Sequence, residues 1–237
     1  MKKKMLLVLG FLVLTGGMAF AQFNTITVDV GPTIGGLLLG QAANIIGEDG
    51  LDASGFGIGA QYERNISRAL SVAARFAYMG ASMTVDMEER GERAVTDLDL
   101  SSFSVEGHVR FYPLGDTFFV GGLVGYGNLS ASFDGDLVAE DNYGNASKVY
   151  VSTSPSRSYL KIGARVGWRI SFGNNGGFTF EPSFGYSYGF GLGDSFDKQL
   201  SDKVGKDVIG IDTAFRIIEN MMFIGGPKMS LAFGWRF

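Results

Sequence analysis

The chain has 237 residues, of which 46% are hydrophobic, 19% charged and 36 glycine, with no cysteine, a single histidine and a formal charge of −4. So apolar a chain is not a disordered one. Without cysteine it has no disulfide framework, thiolate metal site, thiol nucleophile or lipidated cysteine, one histidine excludes any site needing two imidazoles, and the acidic balance lacks the basic surplus of a nucleic-acid binder.

The N-terminus reads as an export signal. Met1 to Lys4 is positive, Met5 to Leu14 is apolar, and Ala19-Phe20-Ala21 is a small-x-small cleavage site, so residues 1–21 are expected to be removed and 22–237 to form one domain. The apolar stretch stops at Thr15-Gly16-Gly17, short of the roughly 20 residues that a spanning helix needs. No second spanning helix follows. An exported chain this apolar must hide its apolar residues in a soluble core or show them to lipid.

Period-two alternation then recurs down the chain and predicts eight strands, at about 24–37, 54–64, 69–83, 98–112, 117–132, 157–172, 178–190 and 228–237. In the third, Leu70, Val72, Ala74, Phe76 and Tyr78 alternate with Ser71, Ala73, Arg75 and Ala77. The fourth sets Phe103, Val105, Gly107, Val109 and Phe111 against Ser104, Glu106, His108 and Arg110. The sixth sets Leu160, Ile162, Ala164, Val166 and Trp168 against Lys161, Gly163, Arg165 and Arg169, and the seventh Phe178, Phe180, Phe184 and Tyr186 against Thr179, Glu181 and Ser183. Most of these segments exceed the usual strand of five or six residues and suit a tilted crossing of a bilayer.

The links alternate too. Short ones at 65–68, 113–116 and 173–177 are interleaved with polar stretches at 40–52, 84–97, 134–156 and from 191 onward. Short periplasmic turns and long extracellular loops give that rhythm, and closure into a ring leaves no unpaired edge in hydrocarbon. The expected fold is therefore all-β: a transmembrane antiparallel up-and-down β-barrel of eight strands. A soluble barrel is the competing architecture. Against it, Tyr62, Phe111, Trp168, Phe172, Phe178 and Trp235 lie near the short turns or the C-terminus, and Tyr78, Tyr126, Tyr186 and Tyr188 lie further along their strands. That separation is roughly 20–25 Å, the height of a lipid band between two aromatic girdles. Residues 208–224 fit the pattern poorly; Ile211, Ala214, Phe215, Ile218 and Met222 share a helical face, which predicts a helix or irregular insertion in the fourth loop.

The C-terminus alternates as Met229, Leu231, Phe233, Trp235 and Phe237 and ends on phenylalanine. Leu231, Phe233, Trp235 and Phe237 resemble the terminal signal of bacterial outer-membrane proteins, which implies reading by the barrel-assembly machinery. From signal peptide to terminus the chain resembles the small eight-stranded outer-membrane barrels of the OmpA, OmpX and OmpW types. The resemblance implies location in the bacterial outer membrane, with outer-membrane lipid as surroundings. It is specific for architecture and not for one activity.

The charged register is the candidate functional feature. Asp29, Glu63, Arg75, Glu106, His108, Arg110, Lys161, Arg165, Arg169, Glu181 and Arg236 are expected to point into the lumen. An eight-stranded interior is just filled by side chains, and buried charges persist only when paired. A luminal salt-bridge network that plugs the barrel is expected; a narrow gated path or a polar binding site is the other reading.

Nothing in the chain calls for catalysis, a metal or a cofactor. His108 lies low in the barrel between Glu106 and Arg110 and reads as a network member rather than a general base. The Gly55-x-Gly57-x-Gly59 and Gly189-x-Gly191-x-Gly193 repeats lack the strand–turn–helix context of a nucleotide fingerprint. The first three long links are net acidic, a solvated rim open to a host or environmental ligand. Two functions are carried forward: a structural and surface-interaction barrel, or a passive conduit for small or hydrophobic molecules as the OmpW-type resemblance implies.

Overall fold

The computed structural model describes residues 23–30, 52–89, 92–140, 146–173, 176–204, 207–208 and 226–237. The expected signal peptide, the later part of the first strand, most of the first loop and residues 209–224 of the expected insertion lie outside these.

The elements are β1 (Asn24–Asp29), β2 (Asp52–Asn65), β3 (Leu70–Glu89), β4 (Glu92–Phe111), β5 (Pro113–Asp116), β6 (Phe118–Glu140), β7 (Ala146–Thr153), β8 (Ser156–Trp168), β9 (Ile170–Phe172), β10 (Gly177–Leu192), α1 (Phe196–Val204), β11 (Asp207–Val208) and β12 (Gly226–Arg236). Eight of them close a ring in the order β1, β2, β3, β4, β6, β8, β10, β12 and back to β1, every neighbour antiparallel. The seam is β1 on β12, with Thr25 opposite Arg236 and Asp29 opposite Ala232. Beyond the last ladder pair, Asn24 and Phe237 exchange backbone hydrogen bonds of 2.8 and 2.9 Å. Among the described residues each of the eight wall strands is thus paired on both sides, the closure that β-structure in hydrocarbon requires.

The minor strands extend the walls. β7 continues the line of β8 beyond Ser154-Pro155 and pairs with β6, β9 continues it on the other side of Arg169 and pairs with β10, and β11 adds to the far end of β6. β5 occupies the short link after β4.

Three expected loops are corrected. β3 and β4 run as 20-residue strands, paired as far as Glu89 and Glu92, so the stretch 84–97 is a hairpin of the sheet. Much of the stretch 134–156 is likewise strand, in β6 and β7. The stretch after Gly191 contains the helix α1, which the hydrophobic pattern did not mark. Gln199 ties α1 to the barrel rim: its Nε2 donates to the Ser156 carbonyl at 3.0 Å and its Oε1 accepts from the Ser156 N–H at 3.3 Å. Val208, the first residue of the expected insertion, pairs with Ala139 as part of β11.

Candidate functional site: the layered lumen

The inward register of β4 runs from Tyr112, just past the strand's periplasmic end, upward through Arg110, His108, Glu106, Ser104, Ser102, Leu100 and Leu98, and it reads out the lumen layer by layer. All are buried. At the bottom, Tyr112 and Phe119 place their rings 5.8 Å apart, with the Arg110 guanidinium 4.4 Å above the Phe119 ring. Such a cation over an aromatic face is attractive in a dry site.

Above this floor sits the first charge cluster. Glu63 accepts from Arg110 Nη1 at 2.5 Å, Arg169 Nη2 at 2.6 Å and the Tyr112 hydroxyl at 2.7 Å. Glu181 accepts from Arg110 Nη1 at 2.9 Å and Arg169 Nε at 2.6 Å. Gln61 takes Arg110 Nη2 at 2.8 Å. Two guanidiniums and two carboxylates thus neutralise each other from β2, β4, β10 and the β8–β9 junction. Charge-assisted hydrogen bonds of this kind are the strong ones.

A second cluster lies one level higher. Arg75 donates to Asp29 at 2.9 and 2.5 Å and to Glu106 at 3.2 Å. Glu106 also receives Lys161 and lies 3.0 Å from His108 Nε2, while Asp29 accepts from the Ser230 hydroxyl at 2.6 Å. Gly59 gives Arg75 its room: a Cβ there would stand 3.3 Å from the guanidinium and from the Asp29 side chain. Period-two glycine on the inner face makes space for long cations.

Arg165 departs from the expected pairing. It is buried, yet among the described residues it has no ion pair or hydrogen bond to a carboxylate. Register explains this, because its cross-strand neighbours are Gly121 and Gly185, which carry no side chain. The nearby acceptors Glu106 and Asp29 are already occupied by Arg75, Lys161, His108 and Ser230. Arg236 lies outside both clusters, at the periplasmic mouth, where it meets Asp116 at 2.6 Å and lies 4.0 Å over the Phe23 ring. The sequence reading missed Gln61, Tyr112 and Ser230, whose roles depend on cross-lumen reach that alternation cannot show. It also left out the inward-register Lys228, although that position belongs to the alternating run ending at Arg236.

The upper lumen is apolar. Leu98, Leu100, Leu129, Ala131, Phe133, Val151 and Phe196 are buried there, and Tyr159 lies beneath them with its hydroxyl 3.1 Å from Ser102 Oγ. The outer face inverts at the same height. Below, it shows Phe76, Val105, Val124 and Ile162, exposed by 50, 52, 64 and 57%. Above Tyr78, Phe103 and Tyr126 it shows Ser82, Asp97, Asp99, Ser130, Ser132 and Asp134. A wall that is apolar outside and charged inside up to the level of these tyrosines, then mostly polar outside and apolar inside, suits a lipid bilayer around its lower part. The chain is an outer-membrane β-barrel.

No protein-family model and no curated protein sequence matches the chain. Solved structures are similar in outline. Ail, the attachment invasion locus protein of Yersinia pestis, is 16% identical with a TM-score of 0.42, covering 91% of this chain and 98% of that one. CarO2 of Acinetobacter baumannii is 12% identical at a TM-score of 0.44, covering 92% and 99%. The N-terminal β-barrel domain of Pseudomonas aeruginosa OprF is 8% identical at 0.36, covering 90% and 97%. The assignment rests on the closed ring and its two faces.

The outer-membrane barrel thus stands in two parts. Ion pairs meet across the interior of its membrane part, and apolar side chains are buried in its extracellular part. On the outer face of that upper part, Thr84 donates to Asp97 at 2.8 Å, Tyr150 to Asp134 at 2.5 Å, and Lys148 pairs with Asp136 at 2.7 Å. The hydrogen bond from Tyr150 to Asp134 raises the Tyr150 phenol above its ordinary value.

Proposed function

We propose that this protein is a structural and surface-interaction barrel: a plugged stave of the outer membrane that raises a rigid extracellular extension. What supports the reading is a pair of buried layers at two levels of the lumen. The Glu63–Arg110–Arg169–Glu181 cluster reaches across the lower lumen, and Leu98, Leu129, Phe133 and Phe196 are buried above it. Ions would have to break several charge-assisted hydrogen bonds and then cross an apolar plug.

His108 is assigned a positional role. It leans on Glu106 in the interior, away from the outer leaflet. The interaction surface is the acidic rim of β3, β4 and β6, which suits a basic host or environmental ligand more than an anionic one. Single-channel recording of the purified protein in planar bilayers tests the plug. The expected result is no well-resolved large conductance. A stable, resolved conductance would overturn the plugged reading and favour the passive conduit.

A further inference from the structure

We propose that the outer wall of the barrel carries a saccharide-binding groove that holds the neutral sugar headgroup of a neighbouring outer-leaflet glycolipid. The groove lies outside the lumen, across β2, β3, β4 and β6, with a volume of about 650 Å³. That is within the usual range of small-ligand sites.

Two rows of small residues shape it. Gly80, Ser101 and Ser130 are register neighbours on β3, β4 and β6, and one pleat higher Ser82, Asp99 and Ser132 are neighbours on the same strands. Ser154 closes the end, its hydroxyl 2.9 Å from that of Ser132. The lower border is aromatic. Phe56 and Tyr78 stand with ring centroids 6.0 Å apart, and Phe56 lies so near Gly80 that a Cβ there would be 3.2 Å from its Cε1. Glycine at that position lets the ring lie against the wall and leaves the floor low.

The chemistry of the lining selects the ligand. Over a floor that includes Gly55, Ala81 and Leu100, it offers hydroxyls that both donate and accept, one carboxylate and two aromatic faces, and it contains no lysine or arginine. A phosphate or sulfate headgroup is held by cations and bidentate guanidiniums, and Asp99 would repel one. A sugar presents hydroxyls for the serines and Asp99 and an apolar ring face for the aromatic border.

Position selects the source. The groove sits directly above the level of Tyr78, Phe103 and Tyr126, and aromatic side chains of this kind mark the boundary between hydrocarbon and headgroups. A wall facing sideways at that height meets lipid headgroups, so the sugar arrives tethered to lipid.

The test uses the purified full-length protein in phosphatidylcholine nanodiscs containing equal small fractions of digalactosyl diacylglycerol and phosphatidylglycerol. Lipids retained after transfer to detergent are identified by native mass spectrometry. Wild type is expected to retain the digalactosyl lipid over both others. Ser101→Phe, which fills the groove from its centre, should reduce retention roughly tenfold, a change of one decade in affinity, and Asp99→Asn should reduce it to a lesser degree. Heat-modifiable migration in gels checks that each variant is folded, and the near-isosteric Asp99→Asn carries the test should Ser101→Phe fail to fold. Equal retention by wild type and the folded variants would overturn the proposal. So would preference for phosphatidylglycerol, or complete displacement by free digalactosyl glycerol at equal concentration, which would move the source from lipid to solution.

Discussion

Arg169 and Glu63 come from opposite sides of the ring, and their side chains meet across the lumen at 2.6 Å. They are 106 residues apart in sequence. Each is also bound to Arg110 or Glu181, so the pair forms part of a brace that ties β2, β4 and β10 to the β8–β9 junction at one height.

Glu63→Ala should be among the most damaging luminal substitutions. It removes one of the two carboxylates that Arg110 and Arg169 share, and the acceptor of the Tyr112 hydroxyl. Leaving buried charges uncompensated typically costs about 3–5 kcal/mol. Urea unfolding of the barrel in lipid vesicles measures it, and a loss of under ~1 kcal/mol would show the cluster to be hydrated.

Arg165→Met should behave in the opposite way. The alternation alone assigned Arg165 to the paired network and so predicted a loss of stability on its removal. With Gly121 and Gly185 as its cross-strand neighbours, it is a buried cation that makes no direct ion pair with a carboxylate among the described residues, and an apolar side chain of similar length removes its desolvation cost. The expected change lies between neutral and about 1 kcal/mol stabilising, against a loss of about 3–5 kcal/mol for Arg75→Met. Equal losses for the two, in the same unfolding assay, would contradict the register argument.

Phe133→Ala and Ile162→Arg test the inversion of the two faces. Phe133 is 2% exposed in the upper lumen, so truncation should cost about 3–5 kcal/mol through the cavity it leaves. The loss should appear first as protease cleavage and amide exchange in β6 and β7, with the membrane part still protected. Ile162 faces lipid, and arginine there should cost roughly 2–4 kcal/mol near the midplane. Ser132→Asn, outside and above the girdle, should cost little.

Deleting Phe237 should lower insertion in cells more than unassisted refolding in detergent. The residue contributes two backbone hydrogen bonds to the seam with Asn24, a small part of a long closed ladder. Its larger role is expected in recognition by the assembly machinery, together with Leu231, Phe233 and Trp235. Cell fractionation and a refolding gel, run side by side, separate the two. Equal membrane insertion by the deletion and the wild type would remove the signal from the C-terminus.

The sequence by itself determined the wall. Strand period is local, so Phe76, Val105 and Ile162 on one face and Arg75, Glu106 and Lys161 on the other could be read from neighbouring residues alone. The ring count follows from that alternation, and strand length with the placement of the aromatic residues turns the charged register inward. Only the tertiary structure decided what meets across the lumen, because closure brings together residues far apart in the chain. It paired Arg169 with Glu63 and left Arg165 opposite two glycines. It also decided the extracellular extension. There, residues such as Thr84, Asp97 and Asp134 keep the strand period but with the polar face outward. A rule tuned to lipid reads those positions as loop, whereas burial of Leu98, Leu129 and Phe133 between closed walls makes them strand.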